Sequence, residues 1–225
     1  QDFDPSRSLA DLVSAILART APPRLRLSSL EPWDLKADFF RLWSDARLCR
    51  HLHLPLQSGS PTVLHRMARK TTPDAFAALV ADARAAIPGV AVTTDVMVGF
   101  PGETEREFAE TLEFVRAMDF AGGHVFTFSP RPGTAAARMD GQVRPEIRKG
   151  RNAVLRSVFA EAAQAYRRSF LGRTLPVLWE ATDRLSDSGW QLEGLTDNYL
   201  RVAATAREPR WNQIDSVQLT GLSED

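Results

Sequence analysis

Cysteine is nearly absent from this chain: Cys49 is the only one in 225 residues. A single thiol excludes an internal disulfide and any cysteine-rich metal or cluster site assembled from this chain alone. An excess of charge of either sign is missing too. Lys plus Arg and Asp plus Glu number 28 each, so no global field favours nucleic acid, a membrane surface or an acidic ligand. Any partner signal has to be local. No apolar run approaches the ~20 residues that span a bilayer, and the opening Gln1-Asp2-Phe3-Asp4 lacks the charged-then-apolar form of a secretory signal. A cytoplasmic protein is therefore expected. The chain also lacks an initiating Met, which reads as a piece of a longer polypeptide. Core material is plentiful, with 44% of side chains hydrophobic, enough for one large domain or for one medium and one small.

The first three-fifths alternate short apolar runs with helix-period stretches, the pattern of strand-helix units around a parallel sheet. Strands are predicted at Leu25–Leu30, His51–Leu56, Val90–Phe100 and His124–Ser129. Ser60-Pro61 and Thr72-Pro73 each pair a cap residue with a proline at the first helical position. Thr104 with Glu107 three residues on forms a capping box ahead of Phe108, Leu112, Val115 and Met118. A long helix is predicted from Pro145 to Leu171, stopped by Gly172. Beyond Thr174 the period changes to that of short strands (Leu175–Trp179, Gln191–Leu195, Tyr199–Ala204, Val217–Thr220), with a turn at Asp187-Ser188-Gly189. The fold class is α/β, a partial (βα) barrel of about four parallel strands over residues 1–172, followed by a small all-β barrel over 173–225.

In barrels of βα units the loops after the strands converge on one face. Three such loops stand out here. Leu54 to Ser60 empties a strand into a polar turn carrying Gln57 and Ser58, suited to a carboxylate at a helix start or simply an ordinary strand-to-helix turn. Thr94 to Glu103 ends in Gly99-Phe100-Pro101-Gly102-Glu103, where glycine lets backbone approach a flat ligand or make a tight connection. Phe126 to Thr134 places Phe126 and Phe128 on one strand face, lining an adenine pocket or filling core.

His51 and His53 share a strand face while His65 and His124 lie on other elements, so a histidine metal site would need ligands from several of them, and none is assigned. Cys49 reads as a small buried thiol. Between Arg131 and Arg173 ten basic side chains face three acidic ones, whereas Thr174 to Asp225 carries four Arg against nine Asp or Glu. The basic stretch is a solvated helix face or a phosphate contact, and the small barrel is acidic.

The strings RLSSLEP from Arg26, HLHLPLQSGS from His51, TTDVMVGFPGET from Thr93 and FSPRPGT from Phe128 resemble, in order, the radical S-adenosylmethionine methylthiotransferase family. Gly194 to Val202 resembles its C-terminal TRAM domain, a small substrate-binding β-barrel. The resemblance covers nearly the whole chain and implies a parent enzyme with S-adenosylmethionine and two [4Fe-4S] clusters, whose cysteine-bearing front, including a CxxxCxxC loop, is not in this sequence. By that resemblance the chain alone is inactive and holds neither catalytic residue nor metal ligand. It carries a cofactor wall: Gln57 and Ser58 toward ribose and methionine, Gly99, Phe100 and Glu103 against adenine, Phe126 and Phe128 beside them, and Arg66 neutralising the methionine carboxylate. Arg131, Arg167, Arg168, Asn198, Tyr199 and Arg201 are the expected RNA contacts, with a tRNA anticodon stem-loop as partner to a monomer and no membrane.

Ser28 to Trp33 is most similar to the branch acting on threonylcarbamoyl-adenosine. The branch acting on isopentenyl-adenosine and the one acting on an aspartate of a ribosomal protein are the alternatives. A non-enzymatic RNA-binding module and a phosphate-binding barrel enzyme are the readings from other classes.

Overall fold

The computed structural model describes residues 8–186 and 189–223; the Gln1–Asp4 start and the expected turn at Asp187-Ser188 lie outside them. The first element is a helix the strand-helix alternation does not anticipate, α1 (Leu9–Arg19), opened by a capping box between Ser8 and Asp11. Three parallel strands follow, β1 (His51–His53), β2 (Ala91–Val98) and β3 (Gly122–Thr127), hydrogen-bonded in that order. Leu25–Leu30 takes the next position beside β1 without becoming a regular strand. Its ends are tied by the Leu25 amide to the Arg47 carbonyl at 2.7 Å and the Leu30 amide to the His53 carbonyl at 2.9 Å. Between them Ser29 has a φ of 36°, which breaks the extended ladder.

Helices α2 (Pro61–Arg66), α3 (Pro73–Ala86) and α4 (Glu105–Ala117) fill the connections. Thr72 caps α3 through the Ala75 amide at 3.2 Å, and Thr104 and Glu107 close the expected capping box on α4. Ser60 precedes Pro61 as expected, but its hydroxyl donates to Glu110 at 2.7 Å instead of capping α2. The long helix α5 (Pro145–Arg168) ends three residues short of Leu171 and is followed by Gly172 in the left-handed region. Alternation along the strands sends Leu52, Val92, Val96 and Val98 to one side, where they pack with Phe76, Val80, Phe108, Val115, Leu155 and Phe159 in the main core. Each such side chain contributes about 1.5–3 kcal/mol on burial. The other side of the sheet carries His51, His53, Thr93, Asp95 and His124 together with Met97 and Phe126.

After α5 the chain forms β4 (Thr174–Ser186), β5 (Gly189–Thr196), β6 (Arg201–Ala206) and β7 (Ile214–Gln218), an antiparallel sheet in the order β6-β5-β4-β7 around Val177, Trp179 and Leu192. Guanidinium groups join the two sheets. Arg24 donates to the carbonyls of Leu195 and Pro176 at 2.7 Å each, and Arg50 makes two bonds to the Asp197 carboxylate at 2.6 and 3.0 Å.

Candidate functional site

The side of the parallel sheet away from the core carries a continuous polar row. Paired residues in register point the same way, so His53 lies beside Thr93, His124 beside Asp95, and Phe126 beside Met97. The Thr93 hydroxyl is 2.9 Å from His51 Nε2 and 3.0 Å from His53 Nδ1. His53 Nε2 lies 3.2 Å from one Asp95 carboxylate oxygen, and His124 Nδ1 lies 3.4 Å from the other. His51 is buried, and that burial pushes its imidazole down to about 3, so it is neutral. Tyr199, from the turn between β5 and β6, stacks on it at 4.0 Å, and Arg26 lies 5.0 Å over the Tyr199 ring. Sequence alone does not assemble this row. The period-two pairs His51/His53, Thr93/Asp95 and His124/Phe126 were its only signal, and their register is set by pairing that no local pattern encodes.

The loops expected to hold a cofactor divide into committed and available residues. Ser58 is fully buried, with its hydroxyl 3.0 Å from Thr111 under α4. Arg66 makes two bonds to Glu107 at 2.7 and 2.9 Å, so its charge is already matched. Glu103 accepts from the Gly99 amide and from Arg151, both at 2.6 Å, and fixes the loop from inside. Gly99 has a φ of 73° and a Cβ there would run into Arg148, so this glycine serves the packing of α5. Phe100 and Phe128 meet edge to face at 5.4 Å and are buried with Val63. Phe126 remains half-exposed on the open side, and Gln57, at a φ of 69°, is partly exposed at the end of the bridge to Val96.

Glu107 also accepts from Thr62 at 2.6 Å and from the Thr104 amide at 2.8 Å, and together with Arg66 these hold its carboxyl well below the usual carboxylate range. A depressed carboxyl contributes stability above its unfolded value of roughly 4.3 and loses it as the pH falls toward the folded value. Acid unfolding of the protein should therefore begin below about pH 4, and Glu107→Gln should flatten that acid limb in pH-dependent urea melts.

The expected RNA contacts also divide. Arg167, Asn198, Tyr199 and Arg201 line one cavity of about 190 Å³ with Thr93 and Tyr166 at the junction of the two sheets. Within it Asn198 is fully buried, bonded to Tyr166 at 3.0 Å and to Thr196 at 2.7 Å, and its job is to hold the junction. Tyr199, Arg167 and Arg201 are exposed. Arg168 is exposed on α5 and is not among the lining residues, while Arg131 is exposed in the turn after β3, at the opposite end of the sheet. A second hollow of about 360 Å³ opens at that end among Phe128, Pro130, Arg148, Lys149 and Asn152.

Residues 5–115 match the radical SAM superfamily model. The chain belongs to that superfamily. It is 40% identical over 225 residues to the threonylcarbamoyladenosine tRNA methylthiotransferase MtaB of Thermotoga maritima, covering 99% of this chain and 50% of that protein. It is 42% identical over 188 residues to the tRNA-2-methylthio-N(6)-dimethylallyladenosine synthase of Frankia casuarinae, covering 83% of this chain and 33% of that one. The chain thus spans half or less of the length of these curated relatives. Coproporphyrinogen III oxidase (HemN) from Escherichia coli superposes with a TM-score of 0.54 at 20% identity over 70% of this chain and 36% of its own, a likeness of fold.

Membership of the radical SAM superfamily implies S-adenosylmethionine and an iron-sulfur cluster. The residues of this chain do not fit a cluster. Cys49 is the sole thiol, it is buried, and burial raises its pKa away from the thiolate a cluster needs. Among the described residues no group of three His, Cys, Asp or Glu is placed to hold a metal. The adenosyl group fits better: the exposed ring of Phe126 and the polar end of Gln57 present a flat apolar surface with a hydrogen-bonding rim. No helix among the described residues is long and apolar enough to cross a membrane.

Proposed function

We propose that this chain serves a tRNA methylthiotransferase that adds a methylthio group to threonylcarbamoyl-adenosine next to the anticodon, acting as a cytoplasmic monomer. One observation carries the reading: the open face of the sheet, with Phe126 at one end, runs without interruption through Asp95 and Thr93 to Tyr199 and the arginine-lined cavity at the other. A surface of that kind suits a nucleotide entering from an RNA strand, with arginines on phosphates and an aromatic ring under a base. The choice of substrate follows the resemblance of Ser28 to Trp33 to the branch acting on threonylcarbamoyl-adenosine.

In this reading residues 1–172 are part of the radical barrel and 173–225 a TRAM domain. Gln57 and Phe126 orient the adenosyl group, while Ser58, Arg66, Gly99, Phe100, Glu103 and Phe128 hold the loops that present them. Bound S-adenosylmethionine supplies the radical and the methyl group. The chain's own work is to position RNA and to exclude water. Arg167, Tyr199 and Arg201 touch RNA at the junction, with Arg131 and Arg168 as outlying phosphate contacts. With no cluster ligands of its own the chain by itself is expected to bind without turnover.

The test is incubation of the whole protein carrying this chain, reconstituted with iron, sulfide and S-adenosylmethionine, with tRNA lacking the methylthio group, followed by nucleoside mass spectrometry. A methylthio derivative of threonylcarbamoyl-adenosine is the expected product. The same group on isopentenyl-adenosine would move the assignment to the sister branch, and no methylthio nucleoside at all would remove it.

A further inference from the structure

The polar row on the open face has one consistent direction of hydrogen bonding, and following it leads to an unassigned recognition group. A carboxylate offers only acceptors, so Asp95 takes an N–H from His53 Nε2 at 3.2 Å, and His124 Nδ1, at an ion-pair distance of 3.4 Å from the other oxygen, keeps its proton on the side of that negative charge. His53 Nδ1 is then an acceptor, and the Thr93 hydroxyl 3.0 Å away must give it a proton. Having donated, the Thr93 oxygen accepts from His51 Nε2 at 2.9 Å, which leaves His51 Nδ1 as an acceptor; it is buried and without a partner. The assignment satisfies every contact in the row and leaves acceptors at its two ends. The inner one is covered by Tyr199, which stacks on the His51 ring. The outer one is His124 Nε2, on a side chain 76% exposed.

We propose that His124, held in this tautomer by Asp95, accepts a hydrogen bond from the carbamoyl N–H of the target nucleotide's N6 substituent and thereby selects it over an alkylated base. This inference rests on the reading of the chain as part of a tRNA methylthiotransferase and adds the residue that distinguishes its substrate. The neighbouring geometry suits a modified purine. His124 stands on the open face between Phe126, 6.4 Å away between ring centroids, and Thr93 at the edge of the arginine-lined cavity, so a base reaching in from that cavity toward an adenosyl group on Phe126 brings its exocyclic group over His124. A carbamoyl substituent brings an N–H donor that an imidazole nitrogen accepts. A dimethylallyl substituent brings only carbon there, leaving His124 to give up water for nothing in return.

Asp95 acts here as a positioning residue. Without it His124 rotates freely and presents either nitrogen as donor or acceptor, and the preference for a donor on the ligand disappears.

The test measures binding of the protein to three synthetic anticodon stem-loops that differ only at the target position: adenosine, dimethylallyl-adenosine and threonylcarbamoyl-adenosine. The parent is expected to bind the threonylcarbamoyl RNA roughly three- to tenfold more tightly than either of the others, the range of one net hydrogen bond. His124→Ala and Asp95→Asn should each bring that ratio near one, and His124→Gln, which restores an acceptor, should recover part of the preference. A parent that binds all three RNAs equally overturns the inference and leaves the RNA-binding reading standing, as does a ratio that survives in His124→Ala. An equal loss for every RNA in that variant also overturns it. Failure of the parent to bind any of the three removes the reading and the inference together.

Discussion

Replacing Arg151 by alanine is expected to lower the stability of the protein by roughly 3–5 kcal/mol, the cost of leaving one partner of a buried ion pair alone. Its guanidinium, almost wholly buried on α5, donates to the Glu103 carboxylate at 2.6 Å, to the Glu103 carbonyl at 3.0 Å and to Glu105 at 2.7 Å, and lies 5.3 Å over the Phe108 ring. Without it the fully buried Glu103 keeps only the Gly99 amide. Burial already pushes that carboxyl upward, with the Gly99 amide and Arg151 opposing. Removing one opponent raises it further. The destabilisation should therefore be greatest near neutral pH and shrink as the pH falls through the raised value, because a protonated carboxyl is cheaper to bury. Urea melts at about pH 7 and about pH 5 read this directly. The double variant Arg151→Met/Glu103→Gln should recover much of the loss. A single variant within about 1 kcal/mol of the parent would show the pair to be no more than a surface contact.

That pair also shows where sequence reasoning stops. Glu103 was legible as part of a post-strand loop because glycines and proline around it announce a turn, and from that position it read as a wall for a ligand. Its partner comes from 48 residues further on, across the connection into α5, and nothing local announces the meeting. The same division recurs through the fold. Helix starts are legible where a cap adjoins a proline, as at Thr72, where a capping box is spelled out, as at Thr104, and where a proline alone takes the first helical position, as at Pro145. The capping box of Ser8 and Asp11 went unread because Asp stands where Glu or Gln is the usual signal. Leu25–Leu30 has the composition of a strand and lies where a strand would, yet Ser29 in a left-handed conformation interrupts it. The family resemblance implies ligand roles for Ser58 and Arg66, but each has a protein partner on α4. The histidines present the reverse case. Separated in sequence, they read as unrelated until strand register set them on one face.

Phe120→Ala is expected to cost about 3–5 kcal/mol, and its effect should reach the open face of the sheet. Phe120 is 1% exposed at the entry to β3, with ring centroids 6.1 Å from Phe76 of α3 and 6.0 Å from Phe159 of α5. Next to it the Ala121 amide bonds the Val92 carbonyl at 2.9 Å, the first tie between β3 and β2. Truncation leaves a cavity where three elements meet, and the surrounding rings can collapse into it only by moving β3 or α5. β3 carries His124 and Phe126, whereas His51 and His53 belong to β1 on the far side of β2. The variant should show a lower urea midpoint with an unchanged slope, and faster hydrogen exchange in β3 amides than in those of β1. Exchange rising equally in both strands would mean that the sheet opens as one unit, and His124 and Phe126 would then owe their placement to the whole barrel face and not to the Phe120 anchor.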